Sequence, residues 1–193
     1  MEGKNLTCEI VCIYLRTPLY LECDKIQQMK KLFIIRHAKS SWANSSLPDH
    51  QRPLNSRGLR DAPFMGKLLQ KTGAQPDLLL SSPANRAFST ACFFAEAFGI
   101  PETEIRKEER IYDAFPSDMV DIIQSLPADL ETVFIFGHNP TFTSLANKYA
   151  ERQIANMPTC SIVQVEADVK NWKDFSPGTA KVVAFHYPGQ YFK

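Results

Sequence analysis

From residue 31 onward the chain alternates short continuous apolar runs with longer stretches in which apolar residues return every three or four positions. That alternation predicts βαβ units around a mostly parallel sheet. Leu32-Phe33-Ile34-Ile35 is apolar without interruption, as a strand covered on both faces requires, and it is the expected first and central strand. Beyond a polar loop through Pro48 and Pro53, Leu59, Ala62, Met65 and Leu69 recur at helical spacing up to Gly73, with Pro63 expected to kink the helix. Leu78-Leu79-Leu80 predicts a second strand. Ser82-Pro83 reads as a helix start, the serine as N-cap and the proline at the first helical position. That helix carries Ala87, Thr90, Ala91 and Phe94 on one face and ends at Gly99. Val133 to Phe136 repeats the buried-strand pattern, and Asn139-Pro140 repeats the capped start. Two further strands, Ser161 to Glu166 and Lys181 to His186, complete the sheet, one of them expected antiparallel at an edge. The fold class is therefore α/β, a three-layer arrangement with helices on both faces of a mostly parallel sheet.

At 193 residues and 44% hydrophobic, the chain can close one sizeable core. We expect a single domain over residues 29–193 preceded by an extension over residues 1–28. Within that extension the apolar stretch Ile10 to Leu21 is too short to span a bilayer and is interrupted by Arg16 and Pro18. It also lacks the features of a signal peptide. The formal net charge is +1 with lysines and arginines scattered singly, so nucleic acid and membrane are poor partners. Five cysteines without a C-x-x-C pair suggest reduced thiols in a cytoplasmic protein, with no metal site or cofactor.

In an open α/β sheet ligands bind beyond the carboxyl ends of the strands. There the first strand delivers Arg36-His37, the second Ser81-Ser82-Pro83 with Arg86 following, and a later one Gly137-His138-Asn139. Two arginines, two histidines and a helix N-terminus form a suitable seat for a phosphoryl group, because guanidinium forks match its oxygens and neutralise its charge. A neutral imidazole aligned with phosphorus can also attack it and form a phosphohistidine.

These residues carry a resemblance. Arg36-His37-Ala38 resembles the R-H-G or R-H-A signature of the histidine phosphatase superfamily, which includes the phosphoglycerate mutases. Arg52-Pro53-Leu54-Asn55 with Arg57-Gly58 is similar to its R-P-L-[TN]-x-x-G loop. Ser81-Ser82-Pro83-Ala84-Asn85-Arg86-Ala87 with Thr90-Ala91 resembles the S-S-P-x-x-R-A-x-x-T-A element, and Gly137-His138-Asn139-Pro140 the second-histidine motif. Within the superfamily the chain looks most like the small SixA-type phosphohistidine phosphatases. The resemblance implies a phosphoglycerate mutase-like fold, His37 as the phosphorylated nucleophile, and Arg36, Arg86 and His138 as phosphate holders. Arg52 is a further candidate anion contact or else a loop anchor.

Glu109, in Glu109-Arg110-Ile111-Tyr112, resembles the mutase-type acid element, although Asp113 stands where that element has glycine; either carboxylate is a candidate general acid. An alkoxide leaving group needs such an acid, whereas imidazole, with a conjugate-acid pKa of about 6.5, departs with little help. The expected function is a metal-independent phosphatase whose favoured partner is a protein bearing phosphohistidine. The alternatives are a phosphomonoesterase for a small sugar phosphate or nucleotide, and a phosphate-binding scaffold without turnover.

Overall fold

The computed structural model describes residues 29–192; the expected extension over residues 1–28 lies outside the described residues. Strand β1 (Met29–Arg36) is followed by α1 (Ser56–Gln70), β2 (Leu78–Ser81), α2 (Asn85–Phe98) and the two-residue strand β3 (Arg106–Lys107). Then come α3 (Pro116–Gln124), β4 (Thr132–Gly137), α4 (Thr141–Asn147), β5 (Ile162–Asp168) and β6 (Ala180–His186). The six strands form one sheet in the order β3-β2-β4-β1-β5-β6. β1 lies parallel to β4, and β4 to β2, with Ile34 opposite Ile135 and Leu80 opposite Ile135 on the other side.

Side-chain alternation along β1 explains the three layers. Leu32 and Ile34 join Met119, Ile122 and Ile123 of α3 and Phe142 and Leu145 of α4 in the core on one face. Phe33 and Ile35 join Ala62, Met65 and Leu69 of α1 and Ala91 and Phe94 of α2 on the other. Both faces are therefore buried, which is why the strand reads as an unbroken apolar run.

Several local expectations are corrected. The antiparallel strand is β5, which pairs with β1 and lies inside the sheet; the edge strand β6 is antiparallel to β5 and so runs with β1. α1 holds Pro63 inside its span, where the helical spacing places it. Its buried stripe is Gly58, Ala62, Met65 and Leu69, at spacings of four, three and four, while Leu59 is 52% exposed. α2 begins at Asn85 with Ala84 as N-cap, so Ser82 does not cap it. α4 begins at Thr141 with Pro140 as N-cap, following a cis Asn139-Pro140 bond, and the Asn139 amide reaches instead to Asn156 and the Met157 carbonyl. Gly99, at φ +69°, ends α2 as expected. Cys92 and Cys160 are free thiols. No helix among the described residues is long and apolar enough to cross a membrane.

Candidate active site

The end of β1 is fastened from both neighbouring strands. The His37 amide donates to the Gly137 carbonyl at the end of β4 (3.0 Å), and the Arg36 amide donates to Ser161 just before β5 (3.0 Å). Cys160, at φ +62°, turns its own amide toward both the Arg36 and His37 carbonyls. The nucleophile candidate thus sits on backbone held at three points.

The His37 ring is 8% exposed, and its Nδ1 lies 2.7 Å from the Ala38 carbonyl oxygen. A carbonyl only accepts, so Nδ1 carries the proton and the neutral ring keeps its lone pair on Nε2. The loop that supplies this carbonyl is itself tied down: the Ala38 amide donates to Thr90 Oγ1 (3.0 Å), and that hydroxyl donates to the Arg86 carbonyl in α2 (2.6 Å). Burial lowers the pKa of His37 to about 4, with the charges of Arg86, Arg36 and Arg52 acting in the same direction. The ring is uncharged at neutral pH.

His138, at the end of β4, faces it with ring centroids 5.1 Å apart. Its Nε2 meets Ser82 Oγ at 2.8 Å, and Ser82 Oγ also accepts the Ala84 amide. The buried Nδ1 of His138 has no protein partner, and with the Ser82 hydroxyl donating to Nε2 the proton of the neutral ring would sit on it. Arg36 shows the same feature: one terminal nitrogen donates to the Met157 carbonyl (2.6 Å), while its buried Nε has no partner. Burial, followed by the charges of His37 and Arg86, lowers His138 to about 3. Unpartnered donors beside two neutral imidazoles are what an incoming anion would satisfy.

Arg86, 8% exposed, donates from Nη1 to the Asp49 carbonyl (2.7 Å) and from Nη2 to Asp49 Oδ2 (2.8 Å). Arg52 donates to Asp49 Oδ1, Ser40 Oγ and the Ser41 carbonyl, and its guanidinium lies 3.2 Å from the centroid of the Trp42 ring. Three of its donors are thus committed to the loop between β1 and α1.

The carboxylate in this network is Asp49, which sequence reasoning missed. It also accepts from the Tyr112 hydroxyl (2.9 Å), and Tyr112 stands edge-on to His138 at 5.7 Å. Although partial burial opposes it, the hydrogen bonds from Tyr112 and the two arginines hold Asp49 at about 2, so it is ionised and has no proton to give. Glu109 and Asp113 are both exposed, and neither hydrogen-bonds to either histidine. Asp113 lines a cavity of about 370 Å3 together with Tyr112, Phe115, His138 and Pro140, and Glu109 lines an adjacent one with His50 and Asp118. Among the described residues no group of three or more His, Cys, Asp or Glu could hold a metal ion.

Residues 32–122 match the histidine phosphatase superfamily (branch 1), a span that includes Arg36, His37, Arg52 and Arg86. The protein Rv1276c of Mycobacterium tuberculosis is 33% identical over 164 residues, covering 80% of this chain and 99% of that protein. A SixA protein of Agrobacterium tumefaciens shares the fold with a TM-score of 0.70 at 24% identity, over 82% of this chain and 98% of that one. The mycobacterial glucosyl-3-phosphoglycerate phosphatase Rv2419c is similar at a TM-score of 0.55 and 16% identity, over 80% and 96% of the two chains. With its motif residues gathered at the ends of β1, β2 and β4, the chain belongs to the histidine phosphatase superfamily.

Proposed function

We propose that the protein is a metal-independent phosphatase that works through a phosphohistidine on His37, with phosphohistidine displayed on another protein as its favoured substrate. Nε2 of His37 attacks phosphorus with its lone pair while the bond from phosphorus to the leaving nitrogen breaks, and the departing imidazole keeps that electron pair. Water then attacks the phosphorus on His37, the bond from phosphorus to Nε2 breaks with its electron pair returning to the ring, the water proton passes to bulk solvent, and inorganic phosphate leaves. Arg36, Arg86 and the free Nδ1–H of His138 hold the phosphoryl oxygens and offset the charge that spreads over them.

The observation that carries the substrate class is the state of the carboxylates. The one joined to the arginines, Asp49, is ionised and fully engaged, and Glu109 and Asp113 are exposed and unattached to either histidine. A site without a placed acid favours a leaving group that needs none, and imidazole is such a group. The cavity that Asp113 lines together with His138 favours a second reading, a phosphomonoesterase with Asp113 as acid.

A leaving-group series separates the two. We expect kcat/KM to fall in the order phosphohistidine protein, aryl phosphate, alkyl phosphate, to be abolished in His37→Ala, and to be unaffected by a chelator. Alkyl and aryl esters hydrolysed equally fast, with the alkyl rate lost in Asp113→Asn, would establish the phosphomonoesterase instead.

A further inference from the structure

Asp49 begins a short 3-10 turn, Asp49–Gln51, that lies against the start of α2. Arg86 grips it at two points, backbone carbonyl and carboxylate, and the neighbouring Asn85 amide donates to the Gln51 carbonyl (3.1 Å). The same carboxylate takes Arg52 on its other oxygen and Tyr112 from the far side of the site. Both arginine side chains are almost buried, at 8% and 10% exposure, whereas the Asp49 carboxylate is half open to solvent at 49%. One residue thus fixes the edge of Arg86 from two directions and places a full negative charge against it, leaving the remaining guanidinium N–H groups for a ligand.

We propose that Asp49 is a positioning residue that aims Arg86 at the phosphoryl group and offsets part of the arginine charge, so that inorganic phosphate is held loosely enough to leave. The proposal rests on Arg86 being a phosphate ligand, as in the function proposed above. Two variants divide its halves. Asparagine keeps the size and one oxygen of the side chain, and the backbone carbonyl that holds Nη1 is untouched, so Asp49→Asn removes the charge while retaining most of the aim. Alanine removes both side-chain acceptors, so Asp49→Ala loses the grip on Nη2 and on Arg52.

The test is titration calorimetry with inorganic phosphate on wild type and Asp49→Asn, together with kcat and KM for an aryl phosphate in wild type and both variants. We expect Asp49→Asn to bind phosphate at least ~3-fold more tightly, because a dianion then meets less opposing charge close by, and more so at low salt because the carboxylate is half exposed. We expect kcat to fall by ~10-fold or more in Asp49→Ala and by much less in Asp49→Asn. A residue that merely anchored its loop would not tighten phosphate binding when replaced. Unchanged or weaker phosphate binding by Asp49→Asn overturns the charge half of the proposal, and wild-type kcat in Asp49→Ala overturns the positioning half. Binding is read without turnover, so an absence of phosphatase activity in the wild type would defeat the proposed function while leaving the calorimetric comparison decisive for Asp49.

Discussion

Replacing Thr90 with valine asks whether the loop behind the nucleophile is held from α2. Thr90 is fully buried, and its hydroxyl is the partner of the Ala38 amide and a donor to the Arg86 carbonyl. Valine has nearly the same shape and is also β-branched, so packing and the side-chain rotamer are conserved while the hydroxyl is lost. The Arg86 carbonyl still has its helical partner within α2, but the Ala38 amide becomes a buried donor without an acceptor, at a cost of ~1–3 kcal/mol. A methyl in place of a hydroxyl returns a fraction of that. For a domain of this size each kcal/mol lowers Tm by about 2–4 °C, so a fall of several degrees is expected.

Activity should suffer more than stability suggests. The Ala38 carbonyl orients His37 through Nδ1, so a loop that shifts to find its amide a new partner turns Nε2 away from phosphorus. A loss of ~10-fold in kcat/KM corresponds to ~1.4 kcal/mol, a modest demand on a near-attack geometry. Thermal denaturation and kcat/KM on an aryl phosphate measure both effects, and Thr90→Ser, which restores the hydroxyl, should recover most of each. Thr90→Val with the Tm and kcat/KM of the wild type would refute the claim that this hydrogen bond positions the nucleophile.

Two other expectations concern charge and space. Because burial depresses His37 to about 4 and His138 to about 3, both rings stay neutral in the folded protein while they would protonate near 6.5 in the unfolded chain. The unfolded state therefore binds more protons between those values, and Tm should fall as pH drops from about 6.5 toward 4, while kcat/KM, corrected for substrate ionisation, should hold until His37 itself protonates. An acid limb in kcat/KM near 6.5 would show that His37 is not depressed. In Gly58→Ala the added methyl would overlap the Lys39 carbonyl, two residues beyond His37, so we expect ~1–3 kcal/mol of lost stability together with reduced kcat. A variant with wild-type denaturation and turnover would mean that the close approach of α1 to this loop is dispensable.

How far the sequence could be read depended on whether a residue's partner is local. β1 and β4 were legible because burial on both faces leaves no polar position in the run, and Arg36, His37, Arg86 and His138 were legible because each lies at or near a strand end within an ordered motif. Asp49 carries no such mark: of its partners only Arg52 is near in sequence, Arg86 being 37 positions away and Tyr112 63, and the loop before Arg52 has no periodicity to assign it a face. Ser82 and Asn139 have the composition of helix caps, but each is engaged elsewhere, Ser82 by His138 and Asn139 by the 156–157 segment, and a local signal cannot show that a distant partner has claimed the side chain. Apolar alternation in β5 and β6 reveals burial and says nothing of direction, so the pattern leaves open which of the two runs against β1 and that this strand lies inside the sheet.

The stripe of α1 differs from the expected one at a single position, for a different reason. Counting apolar side chains selected Leu59, whereas the stripe that packs begins at Gly58, a residue with no side chain to count. Its contribution is the absence of one, which lets the first turn of α1 close against the Lys39 backbone, while the Asn55 side chain caps the helix through the Gly58 amide (2.9 Å) and the Asn55 amide bonds the Lys39 carbonyl (2.9 Å). The Asn55 and Gly58 of the motif therefore describe a docking of helix onto loop, and that docking is a second hold on the segment carrying His37 besides the one at Thr90. Two helices thus hold the nucleophile's loop, one through a hydroxyl and one through a missing methyl.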